Sequence, residues 1–474
     1  MSWEGQDWFP RKRLSFLALT VLLLETWAST EYDPEARVES ARIYGNVNAY
    51  AYYFTDILVG SPKPQLTSVI IDTGSHLLGF PCTGCEHCGN HLEPAIDMSL
   101  STTARWLGCG GGCRGSCEEG KCAYSEGYSE GSHIRGHWFE DYVELGDSIS
   151  KNPPVRVTMG CHTSENNLFY TQRANGIMGL APSSYHHPSQ STPTILDELF
   201  QDKKSVDSSV FSICLAQWGG LLTVGGYNTP HHLSREGAGI QWTSMQASRY
   251  YFVFPATLKV ADMLVAADKG EFGLSIIDTG TTLTYFPAII YDTMVADLAS
   301  YCLTHAGCGA VQAPSPNCWN LEGDQAGPGL FPPIRISFED GAGVDWPAKS
   351  YLTQRGSNTW CYAFDKHNRQ ETIFGISWIL HRDAIFDLRN QRFGLAEASC
   401  PEHRKVPQLW GSNSLGRFPF SQAFMGSSRM LVGALLGALL LVTLIATVSI
   451  RLIRHQSRCL CEGGELCERA APAD

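Results

Sequence analysis

Positive charge is scarce in this 474-residue chain. Lys and Arg number 35 against 47 Asp and Glu, for a formal net charge of −12. That balance argues against nucleic acid or anionic lipid as a partner. No Asn-x-Ser/Thr sequon occurs, so no N-linked glycan is expected. Low-complexity tracts are absent, and two apolar runs stand out. The first, 14–24, follows Arg11, Lys12 and Arg13 and precedes Thr26-Trp27-Ala28. Its 11 residues are short for a bilayer, so 1–28 reads as a signal peptide. The second, 430–450, has 21 residues and no charge, enough to span. Arg451, Arg454 and Arg458 follow it and Arg429 alone stands before it, which puts the tail 451–474 in the cytosol and the body in the lumen. The Pro-, Gly- and Ser-containing stretch 401–429 reads as a linker to this anchor.

Cysteine usage agrees with an oxidising lumen. Three of 17 cysteines lie in the tail, and the other 14 lie between the apolar runs, eight in the first half and six in the second. The even counts predict seven disulfides, mostly within each half, with connectivity open. Cys82-x2-Cys85-x2-Cys88 also has zinc-site spacing, but in this compartment disulfides are the better reading, and neither metal nor cofactor is expected. The tail cysteines Cys459, Cys461 and Cys467 read equally as palmitoylation sites or unmodified thiols.

What the chain does have is two Asp-Thr-Gly triplets in matched surroundings. Asp72-Thr73-Gly74-Ser75 follows Val69-Ile70-Ile71, and Asp278-Thr279-Gly280-Thr281 follows Ser275-Ile276-Ile277. A β-branched strand that ends this way presents a carboxylate on a tight turn, with a hydroxyl placed to hydrogen-bond it. Two such carboxylates face to face cannot both ionise, so they share a proton; one then acts as base on a water and the other as acid toward a scissile carbonyl. An apolar-apolar-Gly step follows each triplet, Ile177-Met178-Gly179 and Ile373-Phe374-Gly375, as do helix-like stretches at 193–201 and 288–301. This is an internal repeat and predicts two similar lobes with one carboxylate each.

Strand-DTG-Ser/Thr followed by hydrophobic-hydrophobic-Gly, twice over, resembles the pepsin-like aspartic proteases across about 44–400. The resemblance implies a mostly β, bilobal fold, with a short N-terminal segment at 29–43, lobes at 44–204 and 205–400, and no cofactor. A Gly-rich block with seven cysteines, 82–122, is absent from pepsin itself but present in nepenthesin-type and plasmepsin V-type members. Phe80-Pro81-Cys82, the flap-like Gly127-Tyr128-Ser129-Glu130-Gly131-Ser132, Met159-Gly160-Cys161-His162 and the C-terminal anchor resemble the plasmepsin V branch. There are departures. Gly79 stands where pepsins usually carry Trp, His76 replaces a usual Ser, and Ser129 stands where that branch has a flap cysteine.

The resemblance implies Asp72 and Asp278 as the catalytic pair, supported by Thr73, Gly74, Ser75, Thr279, Gly280 and Thr281. The substrate is then an extended polypeptide, held as an added strand. Tyr128, on a hairpin at 122–145, is the expected flap tyrosine, and with Phe169 it would line the pocket before the scissile bond. Members of this branch cut after Leu in Arg-x-Leu. Glu130 would pair with that Arg, with Gln172 adding a hydrogen bond; a solvated turn residue is the equal alternative for Glu130. The 15 or so residues before a first strand near Arg42 are acidic, with Arg37 the sole base, so no basic acid-released prosegment is expected. The expectation is a monomeric catalytic unit in the endoplasmic reticulum membrane, with the Golgi open. A sheddase of other specificity and a catalytically silent binding protein are the rival readings.

Overall fold

The computed structural model describes residues 37–405, except 111–112, 114, 148–152, 184–193, 203–205, 235–238, 305–307, 309, 316 and 322–327. The signal peptide expected at 1–28, the span expected at 430–450 and the tail expected at 451–474 lie outside the described residues. No described helix is long and apolar enough to cross a membrane.

The body is built almost wholly from strands, as its β-branched and aromatic runs require. Six successive strands of one large sheet join the two halves of the chain. Glu39–Asn46 pairs with Gly220–Val224, which pairs with Val210–Leu215. That strand pairs with Arg382–Asp387, followed by Arg392–Glu397 and Gln241–Ala247. The expected first strand near Arg42 is therefore in this sheet, and its second half also pairs with Tyr52–Val59, which carries the sheet on into the first half. Arg37, just before it, is clamped to Asp207 through its backbone N–H and its guanidinium, both at 2.9 Å.

Each half adds the same device. In the first, Gln65–Asp72 lies parallel to Gly176–Gly179, with Ile71 opposite Met178 and Asp72 opposite Gly179. In the second, Leu274–Ile277 lies parallel to Glu371–Phe374, with Ile277 opposite Phe374. The apolar-apolar-Gly steps thus abut the two DTG strands. Val69, Ile70 and Ile71 are buried, as in a strand covered on both faces. The strand His133–Leu145 instead alternates buried and accessible positions and forms an antiparallel hairpin with Lys121–Gly127.

The helix-like stretches are helices at Ile195–Gln201 and Ala288–Thr304. The first starts at a capping box in which Thr194 and Asp197 satisfy each other's backbone N–H. The second buries Ile290, Tyr291, Met294 and Leu298 along one face.

All 14 cysteines between the apolar runs are paired. The bonds are Cys82–Cys161, Cys85–Cys88, Cys109–Cys117 and Cys113–Cys122 in the first half, and Cys214–Cys400, Cys302–Cys308 and Cys318–Cys361 in the second. None crosses between halves. Past Cys400 the chain runs back over the first half. There Lys405 Nζ sits 2.6 Å from Asp56 Oδ1 and 2.7 Å from Glu93 Oε1; just before it, Arg404 lies 4.4 Å over the ring of Trp218, in the second half.

Candidate active site

The two DTG turns meet where the halves face each other. Thr73 and Thr279 lock them with four reciprocal hydrogen bonds. Thr73 N–H donates to Thr279 Oγ1 at 3.1 Å and Thr279 N–H to Thr73 Oγ1 at 2.9 Å. Each hydroxyl in turn donates across to the opposite strand, Thr73 to Ile277 O at 3.0 Å and Thr279 to Ile71 O at 2.8 Å. Both threonines are buried, so neither backbone group has water as an alternative partner.

Each carboxylate is held in the same way. Asp72 accepts from Gly74 N–H at 2.8 Å and from the Ser75 hydroxyl at 2.5 Å. Asp278 accepts from Gly280 N–H at 2.8 Å and from the Thr281 hydroxyl at 2.6 Å. The two carboxyl groups lie within hydrogen-bonding reach of each other. The glycines permit that approach: a Cβ on Gly74 would stand 2.6 Å from Asp278 Oδ1 and 2.7 Å from its Cγ, and one on Gly280 would collide with the Asp72 carboxylate. Burial, and then the Asp278 charge, push the Asp72 carboxyl well above the usual carboxylate range, against the opposing hydrogen bonds from Ser75 and Gly74. A pair of this kind holds one proton between two oxygens and is suited to activating a water.

Above the pair lies a cleft of about 1080 Å³ lined by residues of both halves. The hairpin Lys121–Gly127 and His133–Leu145 closes over it, with Tyr128 N–H donating to Ser132 O at 2.8 Å in the connecting turn. Tyr128, Ser129 and Glu130 all face the cleft. Burial and the nearby Asp72 charge raise the Tyr128 hydroxyl well above its ordinary pKa. The structure thus gathers Asp72, Asp278, Tyr128 and Glu130 at one cleft. Phe169 and Gln172 are not among the residues that line it. Phe169 is buried behind Tyr128, with ring centroids 4.8 Å apart. Gln172 caps the short helix Asn167–Thr171, and its side-chain nitrogen is buried without a partner among the described residues.

The departures from the pepsin pattern have local causes. At Gly79 there is no room for a side chain, because a Cβ would stand 2.6 Å from His162 Nε2. His162 is fully buried, with its Nδ1 2.7 Å from Glu165 Oε1. His91 Nε2 reaches the other Glu165 oxygen at 3.1 Å. Burial works to raise the Glu165 carboxyl, but the hydrogen bonds from both imidazoles outweigh it and hold it below its usual range. His76 lines the cleft, with its Nε2 3.0 Å from Pro182 O.

Sequence reasoning did not single out Trp138, Arg249, His367 or Arg369, which also line the cleft. Trp138 carries no distinguishing signal in an ordinary alternating strand. Arg249 and Arg369 come from bends and His367 from the end of the strand Phe364–His367, and their approach to the cleft is set by tertiary packing. Among the described residues, no group of three or more His, Cys, Asp or Glu is placed to hold a metal ion.

The sequence profile described as "Eukaryotic aspartyl protease" matches residues 52–398, which include both triplets and the cleft hairpin. The chain belongs to that family. Among its relatives, Aspartic protease 5 of Toxoplasma gondii is 35% identical over 420 residues, covering 77% of this chain. The match takes in only 38% of that relative's length. Plasmepsin V of Plasmodium falciparum (isolate 3D7) is 26% identical over 445 residues, covering 76% of this chain and 73% of the relative. Aspartic proteinase nepenthesin-1 of Nepenthes gracilis is 25% identical over 375 residues, 73% of this chain and 78% of the relative. This aspartyl protease fold therefore carries its two carboxylates on one pair of interlocked turns.

Proposed function

We propose that the protein is a membrane-anchored aspartic endopeptidase of the secretory pathway, with Asp72 and Asp278 as its catalytic pair. The reading rests above all on the interlocked turns that bring the two carboxyl groups within hydrogen-bonding reach at the floor of a cleft. A water held between them loses its proton to the ionised carboxylate as it attacks the peptide carbonyl. The protonated partner donates to the carbonyl oxygen, and the proton then passes to the leaving nitrogen. Ser75 and Thr281 orient the outer oxygens, and Tyr128 closes over the substrate to exclude water. The substrate runs extended along the cleft beneath the hairpin.

Within this reading, cleavage follows Leu, with Arg preferred two residues upstream. Glu130 is the acceptor for that Arg; its place at the cleft beside Tyr128 supports the assignment. Phe169 acts by backing Tyr128. The 430–450 run is the protein's anchor, and the endoplasmic reticulum membrane is the proposed site, ahead of the Golgi.

A double-mutant cycle tests the specificity. The four kcat/KM values are those of wild type and Glu130→Ala, each with an Arg-x-Leu peptide and its norleucine-x-Leu analogue. A charge-assisted pair predicts a coupling of about 1.5–3 kcal/mol. A coupling near zero makes Glu130 a solvated turn residue and places recognition elsewhere.

A further inference from the structure

The geometry points to the Cys85–Cys88 disulfide as a redox-modification site, open to exchange with dithiols, whose reduction loosens the hairpin over the cleft. Its two cysteines are only 3 residues apart, against 6 to 186 for the other six bonds. The chain-entropy contribution of a disulfide grows with the loop it closes, so this one adds least to global stability. Its role is therefore local. It is also reachable. Four other bonds have at least one cysteine buried, at Cys82 and Cys161, Cys122, Cys214 and Cys400, and Cys308. Only Cys85–Cys88, Cys109–Cys117 and Cys318–Cys361 have neither residue buried.

Of these three, Cys85–Cys88 encloses a residue bound to the hairpin's support. His87, inside the ring, accepts from Glu165 N–H at 2.7 Å through its carbonyl. Its Nδ1 lies 2.7 Å from Glu165 O, and its ring stacks on Tyr170 with centroids 4.5 Å apart. Glu165 ends the strand Val155–Glu165, and the next residues carry the hairpin. Asn166 N–H donates to His133 O at 3.1 Å, and its side-chain oxygen accepts from His133 N–H at 2.6 Å. Asn167 Nδ2 donates to Gly131 O at 2.8 Å, and Leu168 N–H donates to Ser132 Oγ at 3.2 Å. Phe169 supports the Tyr128 ring from behind. The four-residue ring is thus a clip on the platform that holds Tyr128.

In the exchange, a thiolate of the donor attacks one sulfur of the bond. The S–S electron pair leaves on the other sulfur, which takes up a proton. The donor's second thiolate then resolves the mixed disulfide, and the released cysteine sulfur is protonated in turn. Two electrons pass to the protein, Cys85 and Cys88 become thiols, and the donor leaves as its own disulfide. Freed from the ring, His87 loses its fixed register against Glu165, and the platform loosens.

The consequence for catalysis rests on Tyr128 as the flap, and the test keeps the two questions apart. Full-length protein in detergent is equilibrated in a series of dithiothreitol redox buffers. Free thiols are alkylated and located by mass spectrometry. Amide hydrogen exchange across 127–132 and peptide cleavage are followed in the same samples. The expected result is joint alkylation of Cys85 and Cys88 while the four bonds with a buried cysteine persist, with a several-fold rise in exchange at 127–132. KM rises several-fold in step, and kcat changes less. Cys85→Ser/Cys88→Ser has the reduced protein's values in every buffer, whereas Cys109→Ser/Cys117→Ser keeps the wild-type response. Reduction of Cys85–Cys88 only together with those four bonds overturns the proposal, as does its reduction ahead of them without any change in exchange. If no form cuts the peptide, the catalytic reading fails, and labelling and exchange still decide this one.

Discussion

Replacing Thr279 by Val removes a single hydroxyl from the interlocked turns and leaves the shape nearly unchanged. In the native structure that hydroxyl accepts from Thr73 N–H at 3.1 Å and donates to Ile71 O at 2.8 Å. Thr279 is only 3% exposed, so water has little access to either group left behind. An unsatisfied buried donor or acceptor costs about 1–3 kcal/mol, and two of them, after partial relaxation, bring the expected loss to about 2–4 kcal/mol. Thr279→Ser keeps both hydrogen bonds and loses one methyl, at about 1 kcal/mol. The assay is urea unfolding of both variants and wild type with disulfides intact, at one pH, read as the midpoint at an unchanged slope. Both effects also reach function, since the turns set the separation of the carboxylates: kcat/KM falls for Val and is mostly kept for Ser. If Val is no less stable than Ser, the reciprocal hydrogen bonds do not hold the halves together and the argument for a preorganised pair fails.

Other perturbations probe separate parts of the account. Gly74→Ala places a Cβ 2.6 Å from Asp278 Oδ1, so the carboxylates must separate, and kcat/KM should drop by at least about 10²-fold with the circular dichroism spectrum kept. Because the Asp72 pKa is raised in the fold, the native state binds more protons than the unfolded chain above the ordinary carboxylate range. Stability from this group is full below that range and is lost as pH rises through the raised value. Asp72→Asn removes that loss, so its urea midpoint relative to wild type should increase between pH 4 and pH 7.5; a constant difference would contradict the shift. Lys405→Met strands two buried carboxylates, Asp56 and Glu93, and should cost about 3–5 kcal/mol, most of it recovered in Lys405→Met/Asp56→Asn/Glu93→Gln by the same unfolding assay.

What the sequence made legible was local. The DTG turns, their hydroxyl partners and the apolar-apolar-Gly strands are short motifs whose geometry follows from adjacent residues, and they meet in the structure as paired parallel strands. The hairpin was readable from its Gly-rich turn between alternating runs. The even cysteine count gave seven bonds without their partners. What escaped depends on distant packing. Phe169 sits near Tyr128 in space, yet behind it rather than at the cleft, because Asn167–Thr171 presents that ring inward. Gly79 is small because His162, 83 positions away (162 minus 79), fills the space above it. The shared sheet joins strands whose partners lie across the whole body, and Lys405 reaches back to Asp56 over 349 positions. Neither follows from composition or spacing.

The central claim is that Asp72 and Asp278 act as one catalytic unit. The most direct measurement is kcat/KM of full-length wild type, Asp72→Asn and Asp278→Asn on one Arg-x-Leu peptide, with the cut mapped by mass spectrometry and folding checked by hydrogen exchange. Each substitution should lower the rate by about 10²-fold to 10⁴-fold or more, and the double variant should be little worse than either single one. A folded single variant that cuts the same bond at close to the wild-type rate would contradict the account.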